Sequence, residues 1–358
     1  MIQKVVCTGE PFTLGEEYGL QCLEQIRDCL EETQELLAHR LGVPPKLLVQ
    51  KAVNYFQPYI QRFTPHLWEE ICGIAAATGI QAEQILFLQT INEFLYGSFL
   101  EGTALSVSIR SEPQHSSLIG LNLDFDPWAE KHLVLREIKY PNPRNSILML
   151  TLAGTLGWAG INTQGLTAIS TGLESAGVQK GLPASILVRW ALEQSQLLEM
   201  VKIITDSPRS ASRNFLLGSI PTCLNLETTI SQTALLRPSS EGILIHTNHF
   251  LASKFQKFDT GIVKWPESLE RFQRLQYLVN QHQSFAPENL QAILADHVHF
   301  PKGICRHDTG ADRPFKTIAS LIAIPSQNAL QICPGNPCTG KYFTYTLSEN
   351  KSIYRDKE

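Results

Sequence analysis

Three observations predict an α+β fold for this 358-residue chain, an αββα arrangement with a helical N-terminal segment. Apolar residues recur at helical spacing through residues 16–102. Beyond Gly102 the texture changes to short apolar runs rich in β-branched residues and bounded by turn signals. Helix-period stretches are inserted between groups of those runs, the pattern of sheets sandwiched between helical layers.

The helical front follows in order. Leu20, Leu23, Ile26 and Leu30, then Leu36, Leu37 and Leu41, run up to a Gly42-Val43-Pro44-Pro45 break. Leu48, Val53 and Phe56 mark a third helix. Pro65 starts a fourth, carried by Leu67, Ile71 and Ile74 and ending near Gly79, and a fifth runs from Ala82 towards Leu95. Strands are predicted over 104–109, 117–123, 133–138 and 146–150, with a strand-turn-strand over 160–169. An amphipathic helix over 183–197 and a second over 198–204 come next. The tail returns to strands at 222–226, 242–246, 318–324 and 329–333, with helices over 269–279 and 288–295 between the first two and the last two. There is no internal repeat and no long linker, so residues 1–102 and 103–358 read as parts of one compact unit.

Composition excludes several classes. With 30 Lys+Arg against 34 Asp+Glu, the formal net charge is -4, which excludes a nucleic-acid binder working by bulk positive charge. A small or neutral partner is expected instead. No run approaches 18 apolar residues, so no membrane span is expected, and the N-terminus lacks the apolar core of a signal peptide. Eight scattered cysteines fit reduced thiols in a cytoplasmic protein better than a disulfide framework.

Chemical motifs are sparse. His297-Val298-His299 with Cys305 and His307, and Cys333 with Cys338, do not match zinc-ligand spacings, so no metal is expected. Phosphate-cradling glycine loops and a Gly-x-Ser-x-Gly elbow are absent. Asp124 and Asp126 follow a predicted strand, where they form either a carboxylate dyad or a turn cap. In His246-Thr247-Asn248-His249-Phe250, Asn248 offers either a neutral amide donor to a developing oxyanion or an ordinary turn.

The chain resembles, almost end to end, the acyl-coenzyme A:isopenicillin N (6-aminopenicillanate) acyltransferase family of self-processing N-terminal-nucleophile (Ntn) enzymes. The resemblance lies in Glu69-Glu70-Ile71-Cys72-Gly73-Ile74-Ala75, the Gly102-Thr103-Ala104 junction, Gly120-Leu121-Asn122-Leu123-Asp124-Phe125 and 157–166 (Gly-Trp-Ala-Gly-Ile-Asn-Thr-Gln-Gly-Leu). It continues through Gly181-Leu182-Pro183, 207–216, 246–250, Ile304-Cys305-Arg306-His307 and Pro334-Gly335-Asn336-Pro337-Cys338. It implies a four-layer αββα sandwich and a precursor that cuts itself before a nucleophilic cysteine. The freed α-amine, with a pKa of roughly 7.7–8.0, then serves as that residue's general base, and an acyl-enzyme is resolved by water or an amine. The implied substrate is a small amide, peptide or acyl compound. No cofactor is implied, acyl-coenzyme A being a candidate substrate only, and cleaved halves would remain associated.

At the decisive position this sequence departs from the family, reading Glu101-Gly102-Thr103-Ala104 without a cysteine. In one alignment Thr103 replaces the cysteine, cleavage falls between Gly102 and Thr103, and the hydroxyl takes over from a far more acidic thiol of pKa about 8.5. In the other the cysteine is deleted, leaving an inactive relative that binds a small acyl or peptide ligand. The resemblance further assigns Asn248 to the oxyanion hole and Asp124 to a place behind the nucleophile. Arg306 matches an arginine near the substrate or nucleophile, with a structural ion pair as the alternative.

Overall fold

In the computed structural model, which describes residues 2–95, 101–111, 114–141, 146–175, 177–308, 310 and 315–347, the chain opens on a strand. Val5 and Cys7 alternate with exposed neighbours in β1 (Gln3–Thr8). Helices α1 (Pro11–Gln21), α2 (Leu23–Leu41), α3 (Pro45–Phe63), α4 (Pro65–Thr78), α5 (Ala82–Leu88) and the short α6 (Ile91–Phe94) follow. Prolines at their starts pre-set helical φ in α1, α3 and α4. Gly42 and Gly79, at φ 63° and 70°, terminate α2 and α4 in the left-handed conformation.

The body begins with β2 (Glu101–Ser111), β3 (Gln114–Phe125), β4 (Leu133–Lys139), β5 (Ile147–Leu152), β6 (Ala159–Asn162) and β7 (Thr167–Gly172). It continues with α7 (Ala184–Ala191), α8 (Leu197–Asp206), β8 (Arg213–Gly218), β9 (Cys223–Thr228), β10 (Thr233–Leu236) and β11 (Ile243–His246). The short α9 (Ser253–Gln256) and α10 (Gly261–Lys264) lead to α11 (Glu267–Val279), α12 (Pro287–Leu294), β12 (Lys316–Ile324), β13 (Ala329–Pro334) and β14 (Phe343–Thr346).

Two sheets result. The first runs β1-β4-β5-β6-β7-β8-β9-β10 and the second β11-β2-β3-β12-β13-β14. Among the described strands, only the β1/β4 pair is parallel. The predicted αββα layering is present. Gly218 of the first sheet makes room for Ile119 of the second, since a Cβ there would lie 2.1 Å from Ile119 Cδ1. On the outer face of the second sheet, Leu290 and Leu294 of α12 pack over Gly120, beside Leu105, Leu118 and Ile322. The first sheet is covered by α7 and α8. Among the described residues, no single helix is long and apolar enough to cross a membrane.

The helical front is keyed into the body rather than appended to it. Strand β1 supplies the edge of the first sheet, and buried Glu70 of α4 accepts from Arg136 of β4 (2.8 Å) and Arg189 of α7 (3.1 Å). The Arg136 guanidinium also stacks 3.8 Å above the Tyr18 ring of α1. Residues 348–358 of the predicted body lie outside the described residues.

Candidate active site

Thr103 sits near the start of β2, fully buried, opposite Asn122 of β3. Gly102 before it is crowded: a Cβ there would lie 3.3 Å from Asn122 O and 3.4 Å from Thr171 Cγ2 of the facing sheet. Helix α11 passes over this junction. Arg271 Nη1 donates to Thr103 Oγ1 at 2.9 Å and approaches the Gly102 carbonyl oxygen at 3.5 Å, while Nη2 donates to Asn248 Oδ1 at 2.9 Å. The Gly102 N–H donates to the same Asn248 oxygen at 3.2 Å. One guanidinium and one amide thus clamp the peptide that the resemblance marks for cleavage.

Asn248 is reached through the strand that precedes it. His246, opposite Ala104, ends β11, and its Nδ1 donates to Thr247 O (2.6 Å) while Nε2 faces Glu227 Oε1 (2.9 Å). Glu227 also accepts the N–H groups of Leu251 (2.6 Å) and Ala252 (2.9 Å), which fixes the turn on both sides. The Asn248 N–H donates to Ser268 Oγ of α11 at 2.8 Å, and its Nδ2 donates to Gly172 O at 3.1 Å. The Asn248 amide oxygen thus holds the Gly102 N–H, and Arg271 is a donor beside the Gly102 carbonyl. His249 bonds Ser268 Oγ at 2.9 Å. Burial, aided by His246 and Arg271, pushes its pKa down to about 4, so it is a neutral structural group at ordinary pH.

Asp124 is wholly buried. Burial pushes its carboxyl up to about 6, against the opposing pull of Arg271 and a hydrogen bond from Thr317 Oγ1 at 2.7 Å. Among the described residues its Oδ2 has no hydrogen-bond partner. The dyad with Asp126 does not form: the Asp126 side chain pairs with Arg40 and accepts from the Trp128 N–H, a turn-capping role. Arg271 in turn is depressed by burial and partly restored by Asp124 and Glu267.

Arg306 makes the structural ion pair that was the alternative to a place near the substrate or nucleophile. Its Nη2 donates to Glu267 Oε1 of α11 at 2.9 Å, and its backbone N–H donates to Thr317 Oγ1 at 2.9 Å. It is an ion-paired support of the Asp124 side of the site, and Arg271 is the arginine that reaches Thr103. Asn122 likewise supports, donating to Leu294 O (2.8 Å) and Ile304 O (2.9 Å).

Sequence reasoning missed Arg271, Glu267, Ser268 and Glu227. A signal was available for the first three. The buried face of α11 comprises Glu267, Ser268, Arg271, Leu275 and Val279, so two charged residues share the phase of its apolar stripe, which argues against a solvated role. Apart from Thr103, Cys305, His307 and Cys338 bring three metal-competent atoms within 4.8 Å of one another, across two groups whose linear spacings match no zinc pattern.

The chain is 25% identical over 304 residues to the acyl-coenzyme A:6-aminopenicillanic-acid-acyltransferase 40 kDa form of Emericella nidulans, covering 84% of each chain. Among solved structures it is similar to the Caenorhabditis elegans N-acylethanolamine-hydrolyzing acid amidase ortholog (13% identity, TM-score 0.47, covering 69% of this chain and 100% of that one). It is also similar to penicillin V acylase from Agrobacterium tumefaciens (10% identity, TM-score 0.47, covering 69% and 86%). The family model for acyl-coenzyme A:6-aminopenicillanic acid acyl-transferase matches residues 111–339, a span that holds Asp124, Asn248, Arg271 and Arg306 and begins after Thr103. Because that match spans well over half of this chain, the chain belongs to the acyl-coenzyme A:6-aminopenicillanic acid acyl-transferase family.

Proposed function

We propose that the chain is an Ntn acyltransferase or amidohydrolase for a small amide or acyl substrate, matured by cleavage between Gly102 and Thr103, with Thr103 as nucleophile. The observation that carries this reading is the Arg271 guanidinium, which meets the Thr103 hydroxyl, the Gly102 carbonyl and Asn248 together. Those contacts favour Thr103 as the occupant of the nucleophile's place over a site left vacant by a deletion.

Maturation needs only groups at this junction. Thr103 Oγ1 attacks the Gly102 carbonyl carbon, and the negative charge that develops on the carbonyl oxygen is met by Arg271, whose 3.5 Å contact shortens as that charge grows. The hydroxyl proton passes to the Thr103 nitrogen as the C–N bond breaks, leaving Gly102 esterified to Oγ1 and Thr103 with a free amine. Water hydrolyses the ester, releasing the Gly102 carboxylate. In turnover the α-amine accepts the Oγ1 proton while the hydroxyl attacks the substrate carbonyl. The acyl group then occupies the space that Gly102 has left, and water or an acceptor amine resolves the acyl-enzyme.

Acyl-coenzyme A is one acyl donor compatible with this chemistry. The eight scattered cysteines support a reducing, cytoplasmic compartment. Pairing of β1 with β4 and the contacts of Glu70 support halves that stay together after cleavage.

Intact-mass analysis of the purified chain tests the proposal. The expected products are residues 1–102 and 103–358, with Thr103→Ala remaining a single chain and Thr103→Cys cleaving. A persistent 358-residue wild-type chain would overturn a self-processing Thr103. The missing cysteine favours a second reading, a silent family member that binds a small acyl or peptide ligand. Cleavage gained only after inserting a cysteine between Gly102 and Thr103 would establish the deletion that reading requires.

A further inference from the structure

Residues 304–308, ahead of β12, meet residues 335–342, between β13 and β14, at three ligand-competent side chains. Cys305 Sγ lies 3.7 Å from His307 Nε2, and Cys338 Sγ lies 3.4 Å from the same nitrogen. A tetrahedral zinc ion, with Zn–S about 2.3 Å and Zn–N about 2.0–2.1 Å, sets its sulfur and nitrogen ligands about 3.6 Å apart. The two separations bracket that value.

The surroundings suit a metal thiolate. Asn336 Nδ2 donates to Cys305 Sγ at 3.4 Å and to Arg306 O at 2.6 Å, an amide-to-sulfur bond that orients the ligand and stabilises negative charge on it. Cys305 is buried while His307 and Cys338 are partly exposed, which leaves an ion a route in.

We propose that Cys305, His307 and Cys338 form a zinc site, a Cys2His set whose fourth position is taken by water. Loading forms two Zn–S bonds and one Zn–N bond and releases the two thiol protons to solvent, so uptake strengthens as pH rises. The ion joins the segment ahead of β12 to the loop after β13. Arg306 lies between two of the ligands, so the site steadies the segment whose backbone N–H holds Thr317, the hydrogen-bond donor to Asp124.

The full-length protein, dialysed against excess zinc and then freed of unbound metal, is expected to retain one zinc per chain by elemental analysis. Cobalt in its place should give thiolate-to-metal charge transfer and the intense visible bands of a four-coordinate ion. Cys305→Ser and Cys338→Ser are expected to weaken zinc at least about 100-fold, more than the roughly 10–100-fold loss expected for the outer-sphere Asn336→Ala. Cys72→Ser, at a partly exposed thiol elsewhere, should bind as wild type. If the serine variants fail to fold, His307→Asn at a partly exposed position gives the same readout. Substoichiometric zinc, equal binding by the Cys305→Ser/Cys338→Ser double variant, or recovery of Cys305 and Cys338 as a disulfide would each overturn the proposal.

Discussion

Arg271 engages three acceptors through the spread of its planar guanidinium: the Thr103 hydroxyl, the Gly102 carbonyl and the Asn248 amide oxygen. A lysine ammonium keeps the charge but cannot span that fork. Arg271→Lys is therefore expected to slow Gly102–Thr103 cleavage by about 100-fold or more, the usual effect of losing an oxyanion donor. Time-resolved intact mass measures this, with circular dichroism confirming the fold, and wild-type cleavage would remove Arg271 from the mechanism. Asp124 gives a pH-dependent counterpart. Its carboxyl holds a proton to about 6 in the folded state against an ordinary value of 3.8, so the folded state binds more protons between those values. Stability must then fall as pH rises from about 4 to about 6. Asp124→Asn mimics the protonated form and keeps an acceptor for Thr317. It should match wild type below about pH 4 and exceed it by about 1–3 kcal/mol above pH 6. Denaturant midpoints across this range check it, and parallel curves for the two proteins would show that Asp124 carries no such burden. The sequence singles out Asp124 and Asn248 because each lies in a short polar motif beside a strand end, and Thr103 only through the resemblance at the Gly102-Thr103-Ala104 junction. Arg271 belongs to no such motif, because the acceptors Gly102, Thr103 and Asn248 lie more than 20 residues away along the chain and meet it only through tertiary packing.

Helices α1 and α4 cross at a contact that tolerates no side chain. A Cβ on Gly15 would lie 2.0 Å from Glu70 O, and one on Gly73 would lie 2.0 Å from Phe12 O. Neither obstacle is a flexible side chain, so relief requires the helices to separate. Gly15→Ala and Gly73→Ala are each expected to destabilise the protein by about 1–3 kcal/mol or more, although alanine is the better helix former at an exposed site. Thermal or denaturant unfolding reads this directly, and unchanged midpoints would mean that the two helices shift without loss. The elements most legible from sequence were those with one wet face or strong punctuation, such as α2 with its glycine stop, α3 with its proline start and α4 with both. Strand β8 was passed over because Arg213 and Asn214 are polar although buried, which leaves Phe215, Leu216 and Leu217 as an apolar run of three, without alternation and too short to mark a buried strand. The sheet-edge strands β10 and β14 bury little and carry almost no pattern. In β1 the exposed Val6 blurs the alternation of Val5 and Cys7.

At the scale of the whole molecule, the cut proposed after Gly102 would sever the polypeptide between two parts that share one sheet and one buried ion cluster. Glu70, from the N-terminal part, faces both Arg136 and Arg189 of the body, all three essentially inaccessible to water. Arg189 also pairs with Glu193 at 2.6 Å and donates to Tyr140 Oη at 2.7 Å, and His66 of α4 reaches the same Glu193 at 2.8 Å. Removing one member of a buried cluster leaves its partners charged and uncompensated, a larger effect than the net worth of the pair itself. Glu70→Ala should therefore destabilise the intact chain by about 3–5 kcal/mol. Its sharper consequence concerns the cleaved form, which has lost the covalent link that keeps the effective concentration of the two parts high. Cleaved wild-type protein is expected to elute as one species containing residues 1–102 and 103–358, whereas cleaved Glu70→Ala should release the N-terminal piece at mild denaturant concentrations that leave wild type whole. Size exclusion with mass detection across a urea series separates the cases, and co-elution of both proteins at every concentration up to global unfolding would show that strand β1 and the apolar interface suffice without the ion cluster.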